Sequence, residues 1–165
     1  MATTSRLHMP LLAAGQAQKE VTHNEALLLL DGLTQAVCAA GPNDTPPATA
    51  VEGAVYICGG TPTGAWSGQA GNLAINTPGG WRFVHSFEGL RLADGSTGMS
   101  WARRNGQWVS GRVEALEVRI GGVQVLGTQR GPIAAPVGGG TVDTEARAVI
   151  GQLLTALRGH GLIAS

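Results

Sequence analysis

Residues 16–37 read QAQKEVTHNEALLLLDGLTQAV, and no proline interrupts them. At ~1.5 Å of rise per residue the stretch predicts a helix of about five to six turns, which continues to about Ala40, where Gly41-Pro42 supplies the stop. Its first half is polar, with Gln16, Gln18, Lys19, Glu20, Thr22, His23, Asn24 and Glu25 around a few small apolar residues. Its second half carries Leu27, Leu28, Leu29 and Leu30 in succession, each advanced by about 100°, so leucine points nearly all round the axis. A helix that is apolar all round is a buried one. A small domain offers a single core, so the expectation is that one face of this helix meets its own subunit and another meets a neighbour. Gly32 weakens the helix by about 1 kcal/mol relative to alanine and marks a close approach of another backbone.

On the N-terminal side, residues 1–15 read as an extended arm, because Pro10 stops a helix from running through and pushes Met9 toward extended geometry. Leu7, Met9, Leu11 and Leu12 give the arm enough apolar surface to dock on its own subunit. The start has no apolar run of signal-peptide length. Four leucines fall far short of the ~18 apolar residues of a membrane span. A soluble chain made in the cytoplasm is therefore expected.

On the C-terminal side, residues 43–52 form a polar connector around Pro46-Pro47, and the periodicity then turns from helical to alternating. Val55-Tyr56-Ile57-Cys58 predicts a strand, residues 59–71 a long turn around Trp66, residues 72–76 a second strand, and residues 81–85 its return after Thr77-Pro78-Gly79-Gly80. Residues 89–93 predict a further strand, ended by Asp94-Gly95. The strongest turn signal is Asn105-Gly106, which joins residues 99–103 to Trp108-Val109-Ser110 and places Trp101 and Trp108 on opposite arms, where they could stack. Strands at this spacing predict an antiparallel meander closing toward a small barrel or sandwich. Residues 118–120 and 123–125 predict another hairpin, outside the first sheet. Residues 128–140 read as a flexible linker that ends in Gly138-Gly139-Gly140.

Beyond the linker the period is helical again. Thr141 or Asp143 serves as N-cap and Glu145 lies in the first turn. Ala146, Val149, Ile150, Leu153, Leu154 and Leu157 make one apolar stripe, and Gly159-His160-Gly161 stops the helix. The predicted class is thus α+β, mainly β. Its organisation is an N-terminal arm and helix (1–42), a β domain (43–127), a linker (128–140) and a C-terminal docking helix (141–165).

Composition narrows the function. The chain has 26 glycines in 165 residues, far above the usual ~7%, without the strict repeat of collagen. Charged residues are only 13% against a usual ~25%, a surface better suited to being covered than to staying solvated. Net charge is formally zero and no Lys/Arg run exists, so the footprint of a nucleic-acid binder is absent. Cys38 and Cys58 lack metal-ligand spacing. A bridge and two free buried thiols are both open to them, and the second suits cytosolic assembly.

The segment Leu11-Leu12-Ala13-Ala14-Gly15-Gln16-Ala17-Gln18-Lys19-Glu20-Val21-Thr22-His23-Asn24-Glu25-Ala26, followed by Leu30-Asp31, resembles the opening of a domain family of unknown function. That family occurs in tail-fibre and head-spike proteins of alphaproteobacterial prophages and gene transfer agents. The likeness continues more loosely through Glu52-Gly53, Thr63-Gly64-Ala65-Trp66 and Gly80-Trp81. Residues 141–148 (TVDTEARA), with the leucines, Arg158 and Gly161-Leu162-Ile163 that follow, resemble the tails of other phage and transfer-agent appendage proteins. The resemblance implies a place in a particle and no particular reaction.

No catalytic, metal or cofactor site is expected. His23 and Glu25, two apart on a helix, point about 200° away from each other, and the zinc-protease spacing of two histidines is missing. Glu52, Glu88 and Asp94 are the carboxylates of the β region, where glycoside cleavage would need two of them facing across a cleft. All three fall at turns. Neither a nucleophile elbow nor a phosphate loop is present.

The expected function is therefore structural: a head-spike or fibre base, or a connector, in a phage-like particle. It would be a homo-oligomer, trimer or pentamer, that contacts itself and a capsid vertex or a fibre through Leu27, Leu28, Leu29, Leu30, Val149, Ile150, Leu153, Leu154 and Leu157. The rival is a tail-fibre or cell-surface protein for host attachment, binding polysaccharide through Trp66, Trp81, Trp101 and Trp108. Core packing is the ordinary fate of such residues in a small β module. Two rings exposed on one face would favour the rival.

Overall fold

The structure is a computed structural model that describes residues 2–13, 15, 19–138, 140, 141 and 143–164. The expected helix start at Gln16 to Gln18, and Gly139 of the glycine run, lie outside the described residues. The chain divides into two compact units, Met1–Arg112 and Val113–Ser165.

In the first unit, helix α1 (Lys19–Leu33) is followed by seven strands: β1 (Val37–Cys38), β2 (Val55–Ile57), β3 (Leu73–Thr77), β4 (Gly80–Val84), β5 (Arg91–Asp94), β6 (Ser100–Arg104) and β7 (Gln107–Ser110). They form one sheet in the order β4-β3-β2-β1-β5-β6-β7. The result is mainly β with helices at the chain's ends, as the alternating pattern predicts, but the sheet is mixed. Two antiparallel meanders, β2-β3-β4 and β5-β6-β7, are joined through β1, which runs parallel to both its neighbours.

Central strand β1 corrects the expected helix, which ends at Leu33 rather than near Ala40. Thr34 closes it, its N–H and its hydroxyl both bonding to the Leu30 carbonyl. Gln35 then turns the chain through a positive φ of 45°. Val37 and Cys38 are taken by partners distant in sequence, Ala93 and Asp94 on one side and Val55 on the other.

The period-2 rule of strands sorts the core onto two faces. Val55, Ile57, Leu73, Ile75, Cys38 and Leu92 point to one face, where Leu29 and Leu33 of α1 pack on them. Gly32 makes the approach possible: a Cβ there would lie 2.6 Å from Ile75 Cδ1. The neighbour Gly32 accommodates is thus a side chain, not the backbone expected. Tyr56, Cys58, Ala74, Trp81 and Phe83 gather on the other face around the buried Trp66. Trp66 and Trp81 meet edge to face at 5.2 Å, and Tyr56 meets Trp81 at 5.6 Å.

The N-terminal arm lies along α1. Asp31, buried, accepts from the Thr4 hydroxyl and from the N–H groups of Arg6 and Leu7, while Asn24 exchanges two hydrogen bonds with the backbone of Leu12. Asn24, Leu27, Leu28 and Asp31 share a helix face by their spacing. The arm therefore lies along the α1 face that carries Asn24 and Asp31. Leu27, Leu28 and Leu29 are partly buried, and Leu30 stays exposed.

The second unit contains the hairpin β8 (Val118–Ile120) and β9 (Val123–Leu126), outside the large sheet, and helix α2 (Thr144–Gly159). Asp143 is the N-cap, its carboxylate accepting from Ala146 N–H. The division at Arg112 places the hairpin with α2 rather than with the β domain ending at 127.

Candidate docking surface

The described part of residues 128–140 runs along α2 in the opposite direction, from the helix C-terminus to its N-terminus. Arg130 bridges to Ile163, its N–H donating to the Leu162 carbonyl and its carbonyl accepting from Ala164 N–H. Arg158 then donates to the carbonyl of Ile133 at 2.5 Å. Arg147 donates to the carbonyls of Pro136 and Gly138. Eleven residues separate the two arginines, about three turns at 3.6 residues each, so both stand on one face. Leu154, the one α2 residue that is buried, lies between them on that face.

This arrangement divides the predicted stripe. Leu154 is buried and Leu157 half-buried on or beside the strap, whereas Val149, Ile150 and Leu153 are exposed on the adjoining face. The segment is a strap anchored by Arg147 and Arg158 over the residues described, where the sequence reading has a flexible tether. The three-turn spacing of the arginines is the signal in the sequence that could have exposed it.

The hairpin is open in the same way. Val118, Ile120, Val123, Val125 and Leu126 are all exposed, as are Val113 and Leu116 ahead of it, Leu116 at 96%. A two-stranded ribbon without a packed face is at best marginally stable in water. Its charge is internally matched: Arg119 pairs with Glu117 at 2.6 Å and also donates to the Gly122 carbonyl. The whole unit carries four acidic residues (Glu114, Glu117, Asp143, Glu145) and four basic ones (Arg119, Arg130, Arg147, Arg158).

The other candidate residues are dispersed in the first unit. None of the four tryptophans belongs to the exposed class: Trp66 is fully buried, and Trp81, Trp101 and Trp108 are partly buried. Trp101 and Trp108 do not stack, since the register sets Trp108 opposite Arg103 and Trp101 opposite Ser110. Trp101 instead donates from its indole nitrogen to Asp94 Oδ2 at 2.8 Å. His23 is exposed, and Glu25 pairs with Arg82 at 2.6 Å. Glu52 accepts from the Ser5 hydroxyl and Glu88 pairs with Arg104. Asp94 accepts from the Ser96 hydroxyl, the Trp101 indole and the N–H groups of Ser96 and Thr97, which hold its carboxyl well below the usual carboxylate range. Among the described residues no group of His, Cys, Asp and Glu is disposed to hold a metal ion, and no helix is long and apolar enough to cross a membrane.

Cys38 and Cys58 are both free and buried. Burial pushes each thiol up to about 11, with the Asp94 carboxylate adding to the effect at Cys38.

No curated protein matches the chain. A family model described as "Protein of unknown function (DUF2793)" matches residues 23–109, which ends just before the boundary between the two units and leaves the hairpin and α2 outside it. That match spans more than half of the sequence, and the chain belongs to the DUF2793 family.

Proposed function

We propose that this chain is a self-associating structural component of a phage-like particle, the base of a head spike or fibre or the connector that carries a fibre. In this reading the family domain is the body of the module, and the second unit joins it to further copies of the chain and to the particle.

The observation that carries the reading is the apolar surface left open on the second unit. Val113, Leu116, Ile120, Val123, Val137, Val149 and Leu153 are each more than half exposed there. Large apolar side chains left open to water mark interaction surfaces when they gather in a patch. Equal numbers of acidic and basic residues, with Arg119, Arg147 and Arg158 committed to groups of their own unit, leave little charge to steer a foreign partner and suit a second copy. The particle setting rests on the resemblance of residues 11–26 and 141–163 to spike and fibre proteins.

Sedimentation of the full chain and of residues 1–112 tests the self-association. The full chain is expected to be a defined oligomer at micromolar concentration and the truncated chain a folded monomer. A monodisperse full-length monomer would overturn the reading. Imaging of particles that carry a labelled copy tests the setting, and purified particles without the protein would sink that half.

A further inference from the structure

The first unit holds a cleft of about 300 Å³ in which, among the described residues, a cation stands without a counter-ion. It is lined by Pro42, Gly59, Gly60, Gly71 and Gly106, with Arg103, Gln107 and Trp108 among the side chains. Arg103 and Trp108 are paired across the β6–β7 hairpin, and Arg103 Cζ lies 5.7 Å from the centre of the indole ring. Trp108 is itself fixed, since its Nε1–H donates to the Gly71 carbonyl at 2.8 Å. Gly71 is what lets the guanidinium in: a Cβ there would come within 2.8 Å of Arg103 Nη2.

Among the described residues, the Arg103 guanidinium has no hydrogen-bond or ion-pair partner; it lies against the Trp108 ring and Gly71. Those contacts leave its N–H donors unspent. Glu25, Glu88 and Glu117 each serve another arginine, and no carboxylate lines this cleft. A partly buried, immobilised guanidinium fork is matched in shape by a planar carboxylate, which it binds with two parallel hydrogen bonds. Beside it the Gln107 amide offers both a donor and an acceptor, suited to hydroxyl groups. Gly59, Gly60, Gly71 and Gly106 leave room beside the guanidinium for a ring.

We propose that this cleft binds a carboxylate-bearing sugar ring of an acidic polysaccharide, with Arg103 as the anchor of the carboxylate and Trp108 as the residue that positions Arg103. The site lies wholly within the first unit, so it stands or falls independently of self-association through the second. A Cβ at Gly60 would meet nothing within 4 Å, so Gly60→Leu places bulk at the cleft wall without a clash at its Cβ.

Saturation-transfer NMR and calorimetry on the full chain, with trigalacturonate, maltotriose and triglutamate as probes, test the proposal. Trigalacturonate should bind saturably, maltotriose and triglutamate at least about tenfold more weakly, and Arg103→Gln and Gly60→Leu should each weaken trigalacturonate at least about tenfold at unchanged melting temperature, tenfold corresponding to 1.4 kcal/mol. If Arg103→Gln fails to fold, Gly60→Leu decides. Equal binding of maltotriose, tighter binding of triglutamate, unaltered binding by a folded variant, or no trigalacturonate binding at about 10 mM, beyond the millimolar scale of weak specific contacts, would each overturn it.

Discussion

Thr4 and Asp31 lie 27 residues apart, are both buried, and meet through a 2.9 Å hydrogen bond from the threonine hydroxyl to Asp31 Oδ1. The same carboxylate accepts from Arg6 and Leu7 N–H, and the Arg6 side chain donates to the carbonyls of Asp31, Gly32, Thr34 and Gln35. The Asp31 carboxylate and the Arg6 guanidinium thus hold the arm against the C-terminal end of α1. Asp31→Ala leaves these donors without their acceptor, at about 1 to 3 kcal/mol for a single buried group, so a loss of about 3 kcal/mol in urea unfolding is expected. The arm should become sensitive to limited proteolysis while the β-sheet circular dichroism persists. An unchanged unfolding midpoint and an arm still protected would mean that it is held by something else.

Gly32 and Ile75 give a coupled pair. Gly32→Ala improves helix propensity by up to about 1 kcal/mol but forces Ile75 Cδ1 to move, and overpacking of this kind costs about 1 to 3 kcal/mol. A net loss of about 1 kcal/mol is expected. Ile75→Val removes that methyl and should cost about 1 kcal/mol alone. The double variant should be more stable than the sum of the two losses predicts, because the clash is gone. Strict additivity in a double-mutant cycle would show that the two residues do not press on each other.

Asp94 makes stability depend on acid. Hydrogen bonds from the Ser96 hydroxyl, the Trp101 indole and backbone N–H groups lower its folded-state value below the ordinary 3.8, so its contribution is present above that value and is lost as the pH falls below it. The wild-type melting temperature should therefore drop as the pH goes from about 5 to 2, and Asp94→Asn should flatten that part of the curve. Trp101 fluorescence reports on the same bond. A variant with the slope of the wild type would assign the acid sensitivity to other carboxylates.

The two thiols predict the opposite limb. Burial raises Cys38 and Cys58 to about 11, above the ~8.5 of a free cysteine, so their contribution is complete below that lower value and is lost as the pH rises through about 11. At pH 8 neither should react with a disulfide reagent in the native protein, and both should react in denaturant. Rapid labelling of one thiol under native conditions would place it at the surface.

What the residues determine on their own is the local geometry. Asn105-Gly106 turns the β6–β7 hairpin with both residues at positive φ, as that pair favours for steric reasons that need no distant partner. The alternation through Val55, Tyr56 and Ile57 sends side chains to opposite faces in any sheet, and Asp143 caps α2 with its own carboxylate. What only the tertiary structure decides is which surfaces meet. Two residues, Val37 and Cys38, carry no strand signal of their own; they become the central strand because the edges of two meanders flank them. Leu29 and Leu33 of α1 pack on the sheet, the arm is tied to α1 through Asn24 and Asp31, and the described part of residues 128–140 is tied to α2 by Arg147 and Arg158. Arg103 acquires its place over Trp108 only when Gly71 is brought beside them. Turn and helix signals act over a few bonds, whereas these pairings join distant segments whose loop-closure entropy is offset only by the packed assembly as a whole.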